Sequence, residues 1–137
     1  MLRITRLQFD QIVAQAREAS PHECCGLIGG KEGITTSVYR TRNIASDPLV
    51  TYEAAPEDLF TAQRQMRERG EELIGIYHSH PRSSDPQPSA TDVRLAYYPS
   101  AVYLIVGLND DEPCVRAFRI SESENRWERI DLELIDK

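Results

Sequence analysis

The sequence predicts one α/β (α+β) domain, a mixed β-sheet flanked by helices. Three observations carry that prediction. Stretches with apolar residues at helical spacing alternate along the chain with short apolar runs closed by glycine, so helices fall between strands. Residues 24–30 and 102–107 are apolar almost throughout, as in strands covered on both faces. The length, 137 residues, suits a single core, and the chain holds no repeat or linker, so residues 1–137 are expected to form one domain.

Thr5, Arg6, Leu7 and Gln8 have the form of a capping box, and Phe9, Ile12, Val13 and Ala16 follow at helical spacing. A first helix is therefore expected over residues 6–18, ended by Ser20 and Pro21. Residues 24–30 read as a buried strand and 35–40 as its hairpin partner, which puts Glu23 at the mouth of the first strand. Residues 51–53 read as a short strand before Pro56, which suits the first position of a helix turning Leu59, Ala62, Gln63 and Met66 to the core; Gly70 closes it. A strand over residues 73–78 runs directly into Ser79 and His80, and residues 81–88, with three prolines, are a loop. A short helix from Ser89 to about Ala96 follows, then a buried strand at 102–107 and further strands at 115–120 and 127–135.

Charge and cysteine usage exclude several functions. The net charge of -6 repels a phosphate backbone, so no nucleic-acid partner is expected. Arg3, Arg6 and Asp10 interrupt the opening residues, which are expected to be neither a secretory signal nor a membrane span. Three cysteines, two of them adjacent, fit reduced thiols and a cytoplasmic protein. With no C-x-x-C, a metal would be held mainly by imidazole and carboxylate.

The sharpest chemistry lies at a strand end. His78 and His80 form H-x-H there, and side chains at i and i+2 of a strand share a face, so both imidazoles can converge on one ion. Zinc accepts such ligands and commonly takes a carboxylate as the third, for which Asp92 is the candidate. Each piece also has a plain structural reading. The histidines suit a solvated strand end, Asp92 completes an S-x-x-D capping box with Ser89, and Glu23 suits a surface. Ser79 reads as an exposed hydroxyl between the histidines, and Cys24 and Cys25 as small core fillers rather than partners of His22 in a Cys-His dyad. The H-E-x-x-H motif fails because Gly26 stands where the second His is needed, and the zinc-deaminase signature fails for want of H-x-E and of a second cysteine at Ala117.

Taken together, Glu23 near an early strand, His78-Ser79-His80-Pro81 and Pro88-Ser89-Ala90-Thr91-Asp92 resemble the JAMM (MPN-plus) metalloproteases, in particular their compact prokaryotic type. The resemblance runs from the first helix to at least the strand near residue 107. One departure stands out: eleven residues separate His80 from Asp92, one more than is usual in that family. The extra residue falls among 82–87 and is expected to bulge outward and leave Asp92 in place, with Asp85 as a rival ligand.

The resemblance implies a cytidine-deaminase-like MPN architecture and a zinc site of His78, His80 and Asp92. Zinc would bring the pKa of its water towards about 7, Glu23 would take and return the proton, and Ser89 would hydrogen-bond the developing oxyanion. It further implies hydrolysis of the amide bond after the C-terminal Gly-Gly of a ubiquitin-like or sulfur-carrier protein. Such a tail could add as a strand near residues 51–53 or after His80. Other readings are a non-catalytic MPN scaffold, a zinc peptidase for small peptides, and a DNA-repair-associated branch. The intact ligand set disfavours the scaffold, and Pro81-Arg82-Ser83 together with the acidic charge disfavours the repair branch. Another divalent metal remains open, since cellular supply as well as affinity selects the ion.

Overall fold

The computed structural model describes residues 1–136. Its elements are β1 (Leu2–Thr5), α1 (Arg6–Ala19), β2 (Cys25–Lys31), β3 (Ile34–Thr41), α2 (Pro56–Arg69), β4 (Glu72–His80), α3 (Ala90–Arg94), β5 (Val102–Gly107), β6 (Cys114–Ser121), β7 (Arg126–Ile130) and β8 (Leu132–Ile135). All strands join one sheet in the order β7-β6-β5-β4-β2-β3-β1-β8. The pairs β4–β5, β1–β3 and β1–β8 are parallel and the others antiparallel. The mixed sheet with flanking helices is the predicted fold class.

Local signals act as the sequence suggests. Thr5 Oγ1 accepts from the Gln8 amide at 3.2 Å and so caps α1, but the Gln8 side chain turns to the Thr36 carbonyl instead of closing the box. Pro56 opens α2, and Gly70 ends it with φ at 68°, a left-handed conformation that favours glycine. Ser89 and Asp92 form a complete capping box on α3.

Three expectations need correction. Residues 51–53 are no strand; only an isolated bridge, Asn43 to Ala54, lies beside them. The strand expected over 127–135 is two, β7 on one edge of the sheet and β8 on the other. Only Asp131 separates them, and its carbonyl accepts from the Leu2 amide at 3.0 Å. Accumulated twist therefore curls the sheet until its two edges meet on one chain segment. Finally, β1 was not anticipated. Burial of Leu2 and Ile4 contributes about 3–6 kcal/mol, comparable to the ordering cost of four residues, yet four residues are too few to show a period.

Each face of the sheet carries its own core. Leu27, Ile76, Tyr103, Ile105 and Phe118 pack with Ala62 and Met66 of α2 and Val93 of α3. On the other face Ile28, Tyr77, Leu104 and Val106 pack with Ile12 and Ala16 of α1. Strict alternation between the two clusters explains why β2 and β5 read as unbroken apolar runs. Gly26 stands opposite Tyr77, whose ring would lie within 2.5 Å of any Cβ there. That close approach lets the Tyr77 hydroxyl donate to Gln15, whose amide in turn donates to the Cys25 carbonyl at 3.1 Å and fixes α1 on β2.

Candidate metal centre

β2 and β4 bring together residues distant in sequence, Cys25 and His78 being 53 apart. The antiparallel register sets Cys25 opposite His78, Gly26 opposite Tyr77 and Leu27 opposite Ile76. Continued by one pleat, it places Glu23 beside His80, on the sheet face that His78, Ile76 and Leu27 share. His78 is fully buried, the His80 side chain is 17% exposed, and Glu23 is buried. One ligand atom from each of Glu23, His78 and His80 lies within 4.8 Å of the others.

Asp92 enters from α3. Its Oδ2 lies 3.1 Å from His78 Nε2 and 3.0 Å from His80 Nε2, and the two Nε2 atoms are 3.1 Å apart. Ligands about 2.0–2.1 Å from a tetrahedral zinc stand about 3.3 Å from one another, so this triangle fits one small ion. If both imidazoles carry their hydrogen on Nε2 to donate to Asp92, the two N–H groups face one another at 3.1 Å, whereas one cation takes all three lone pairs without that opposition. The same Oδ2 also accepts the Ser89 amide at 2.9 Å, because a carboxylate oxygen has two lone pairs. Capping and convergence on the histidines thus coexist, although the capping reading alone predicts a carboxylate turned only to the helix.

Electrostatics sort the four groups. Burial raises the Asp92 carboxyl, but His78, His80 and the Ser89 amide outweigh it and hold the group far below the usual carboxylate range. Burial lowers His78 despite Asp92; in His80 the same opposition ends in a raised value, because Asp92 and Glu23 outweigh a smaller desolvation. Glu23 is pushed up to about 7 by burial, with His80 opposing and Asp92 adding. Its Oε1 is buried without a hydrogen-bond partner, as is His78 Nδ1. The imidazole of His78 is instead held by Tyr52, stacked on it at 4.5 Å between centroids and 24° between planes. Nothing in the sequence pattern singled out Tyr52.

The remaining candidates fall as follows. Ser89 Oγ accepts the Asp92 amide at 3.0 Å, which leaves its O–H free to donate. Ser79 is fully buried, not exposed as expected: it faces away from the histidines and accepts the Cys24 amide at 2.8 Å. It thereby ties the residue after Glu23 to the H-x-H strand. Asp85 pairs with Arg116 at 3.3 Å, away from the triangle. His22 is exposed, and burial pushes both the Cys24 and Cys25 thiols up to about 11, so neither is a thiolate near neutral pH.

The loop with the extra residue has an exposed tip and a buried root. Arg82, Ser84 and Asp85 face solvent, whereas Pro86 is fully buried over Gly107, the β5 partner of His80. A Cβ at Gly107 would meet the Ser83 carbonyl at 2.5 Å and Pro86 Cδ at 3.0 Å. Gly107→Ala should therefore displace the loop that leads to Asp92. We expect a loss of about 1–3 kcal/mol in thermal unfolding and weaker zinc retention on dialysis; unchanged retention would show that Asp92 is set by α3 alone.

An apolar cleft of about 640 Å³ opens beside the cluster, lined among others by Cys25, Leu27, Tyr52, Leu59, Leu95 and Tyr103. Residues 51–53 border it, with the backbone groups of Thr51 and Glu53 taken up by their own segment. The Thr51 amide donates to the Asp47 carbonyl, the Glu53 carbonyl accepts from Ile44, and Asn43 takes the Thr51 carbonyl and the Glu53 amide. Among the described residues no helix is long and apolar enough to cross a membrane.

A curled mixed sheet that presents two imidazoles and a carboxylate to one point, with a second buried carboxylate beside them, defines a domain with a candidate mononuclear metal centre. Comparison with known proteins makes this specific. The chain belongs to the prokaryotic homologues of the JAB domain, whose family model matches residues 6–121. It is 39% identical over 102 residues to a desampylase of Haloferax volcanii, covering 70% of this chain and 73% of that one. It is 34% identical over 117 residues to the CysO-cysteine peptidase of Mycobacterium tuberculosis, covering 80% and 75%. A protein of Desulfitobacterium hafniense, solved in solution, superposes with a TM-score of 0.88 at 33% identity over 100% of this chain and 94% of the other. The resemblance read from H-x-H-P and P-S-x-x-D is thereby borne out at the level of family and fold.

Proposed function

We propose that this chain is a zinc-dependent peptidase or isopeptidase that hydrolyses the amide bond after the C-terminal Gly-Gly of a ubiquitin-like or sulfur-carrier protein. The observation that carries the reading is the 3.0–3.1 Å triangle of Asp92 Oδ2, His78 Nε2 and His80 Nε2 with the unpartnered Glu23 Oε1 in the same cluster. The relatives support the substrate class, since the names desampylase and CysO-cysteine peptidase describe removal from small carrier proteins. The whole span 1–137 is read as the catalytic domain, and the three free cysteines support a cytoplasmic site of action.

In this reading His78, His80 and Asp92 hold the ion, which when bound acidifies a water and polarises the scissile carbonyl. Glu23 supplies the proton carrier. Its carboxyl, raised to about 7, is poised to accept a proton and then to return it to the leaving amine. Ser89, whose hydroxyl hydrogen is not used by the helix cap, donates to the developing oxyanion. Tyr52 holds the His78 ring by stacking, in place of the hydrogen bond to Nδ1 that such ligands usually make.

The test uses the full chain purified without chelator or His-tag. About one zinc per chain is expected, with cleavage of a Gly-Gly-tailed carrier conjugate that stops on chelation and returns with added zinc. Equal rates on short fluorogenic peptides and on the folded carrier would favour the small-peptide peptidase. A chain that takes up no zinc even when it is supplied would leave a scaffold as the better account.

A further inference from the structure

Glu23 lies just outside the sheet. β2 begins at Cys25, so the ladder that fixes Cys25 against His78 and Thr41 does not reach the residue whose carboxylate must face the histidines. The β2–β4 register and the Cys24–Ser79 hydrogen bonds bring Glu23 near His80, but its own amide and carbonyl are held from outside the ladder, by the Pro48 carbonyl and by one side chain, Asn43.

Asn43 follows β3 and uses all four hydrogen-bonding capacities of its amide. Nδ2 donates to the Glu23 carbonyl at 2.9 Å and to the Thr51 carbonyl at 3.1 Å. Oδ1 accepts from the Ala45 and Glu53 amides, both at 3.0 Å. Two carbonyls and two N–H groups around one amide leave a single orientation for it. The Thr51 and Glu53 contacts bracket Tyr52, the residue stacked on His78. The same segment also takes the Glu23 amide, which donates to the Pro48 carbonyl at 2.8 Å. A continuous chain of contacts therefore runs from Glu23 through Asn43 to Tyr52 and on to His78.

We propose that Asn43 is a positioning residue that fixes the backbone of Glu23 relative to the H-x-H imidazoles by tying it to the segment Tyr52 anchors on His78. This rests on the reading of Glu23 as the proton carrier. Asn43 touches neither substrate nor ion; it acts by holding the Glu23 carboxylate within reach of the reacting water, where a displacement of about 1 Å can cost about 100-fold in rate. No other residue type supplies two donors and two acceptors in this fork except glutamine, whose longer stem would push the fork outward.

Two variants and a cycle test the assignment, on the zinc-loaded full chain with a Gly-Gly-tailed ubiquitin-like domain carrying a C-terminal aminocoumarin amide. Asn43→Asp keeps acceptors for the Ala45 and Glu53 amides but turns an oxygen on the Glu23 and Thr51 carbonyls. It should lower kcat about 10- to 100-fold and leave KM within about threefold, with amide exchange at Ala45 and Glu53 still slow. Asn43→Ala should also release those two amides to exchange. In the Glu23→Gln background either substitution should cost less than about threefold, because residues that act through one another are not additive. Wild-type kcat in Asn43→Asp, or the same fold-loss in both backgrounds, would overturn the assignment while leaving Glu23 in its role. If Glu23→Gln alone hydrolyses at the wild-type rate, the reading of Glu23 itself falls, and the assignment with it.

Discussion

Glu23→Gln is expected to abolish hydrolysis, by about 10³-fold or more in kcat, while the chain keeps its zinc. The size follows from loss of proton transfer in both directions, a role that contributes about 10²–10⁴-fold. The side chain keeps its shape, and the Asn43 contact to the Glu23 carbonyl is unaffected by the change. In wild type, the carboxyl must be ionised to accept a proton. Burial raises it to about 7 although His80 opposes the shift, so kcat/KM should fall on the acid side, about tenfold per pH unit. A cation beside Glu23 favours its charged form, which puts the midpoint of the zinc-loaded enzyme below the metal-free value. The variant should lack this limb.

The same carboxyl makes an opposite prediction for stability. Its folded value lies above the ordinary 4.5, so the fold favours the protonated form; the stability it contributes is complete below about pH 4.5 and is lost as pH rises through about 7. Metal-free Glu23→Gln should accordingly be more stable than metal-free wild type at pH 8, by about 1–2 kcal/mol after allowance for solvent screening. Equal melting temperatures at pH 8 together with equal rates would remove Glu23 from the chemistry altogether.

His80→Ala and Asp92→Asn should each lose the metal. Elemental analysis should fall from about one zinc per chain to less than about 0.1 after dialysis, and cleavage should vanish with it. The Asp92 result decides between two overlapping sets of ligand atoms, because Glu23 also stands within 4.8 Å of both histidines. Loss of zinc in Asp92→Asn but not in Glu23→Gln assigns ligation to Asp92 and proton transfer to Glu23. The reverse pattern would exchange the roles. Asp92→Asn keeps an oxygen for the Ser89 amide, so the helix cap can survive, and the far-UV spectrum should be unchanged.

Much of the site was legible before any fold was known, and the reason is spacing. H-x-H needs only the two-residue period of a strand to put both imidazoles on one face, and P-S-x-x-D carries its own local geometry in the capping box. Glu23 was legible only as part of that pattern. The register of β2 on β4, which pairs Cys25 with His78, 53 residues on, brings its backbone near the histidines, and the Asn43 side chain holds it there; no local period specifies either. Asn43 and Tyr52 were not legible at all, since a polar residue after a strand and an aromatic in a loop carry no signal of what they will touch.

The same division runs through the fold. Helices α1 and α2 and strands β2, β4 and β5 were determined by the sequence alone: the helices have a hydrophobic period and a chemical stop, Thr5 and Pro56 at the starts and Gly70 at an end, and the strands are short apolar runs. The four-residue β1, the division of residues 126–135 between opposite sheet edges and the unpaired course of residues 51–53 were decided only in three dimensions. Those segments are too short for local preference to outweigh pairing, and they go where the curled sheet and the Asn43 amide satisfy their backbone groups.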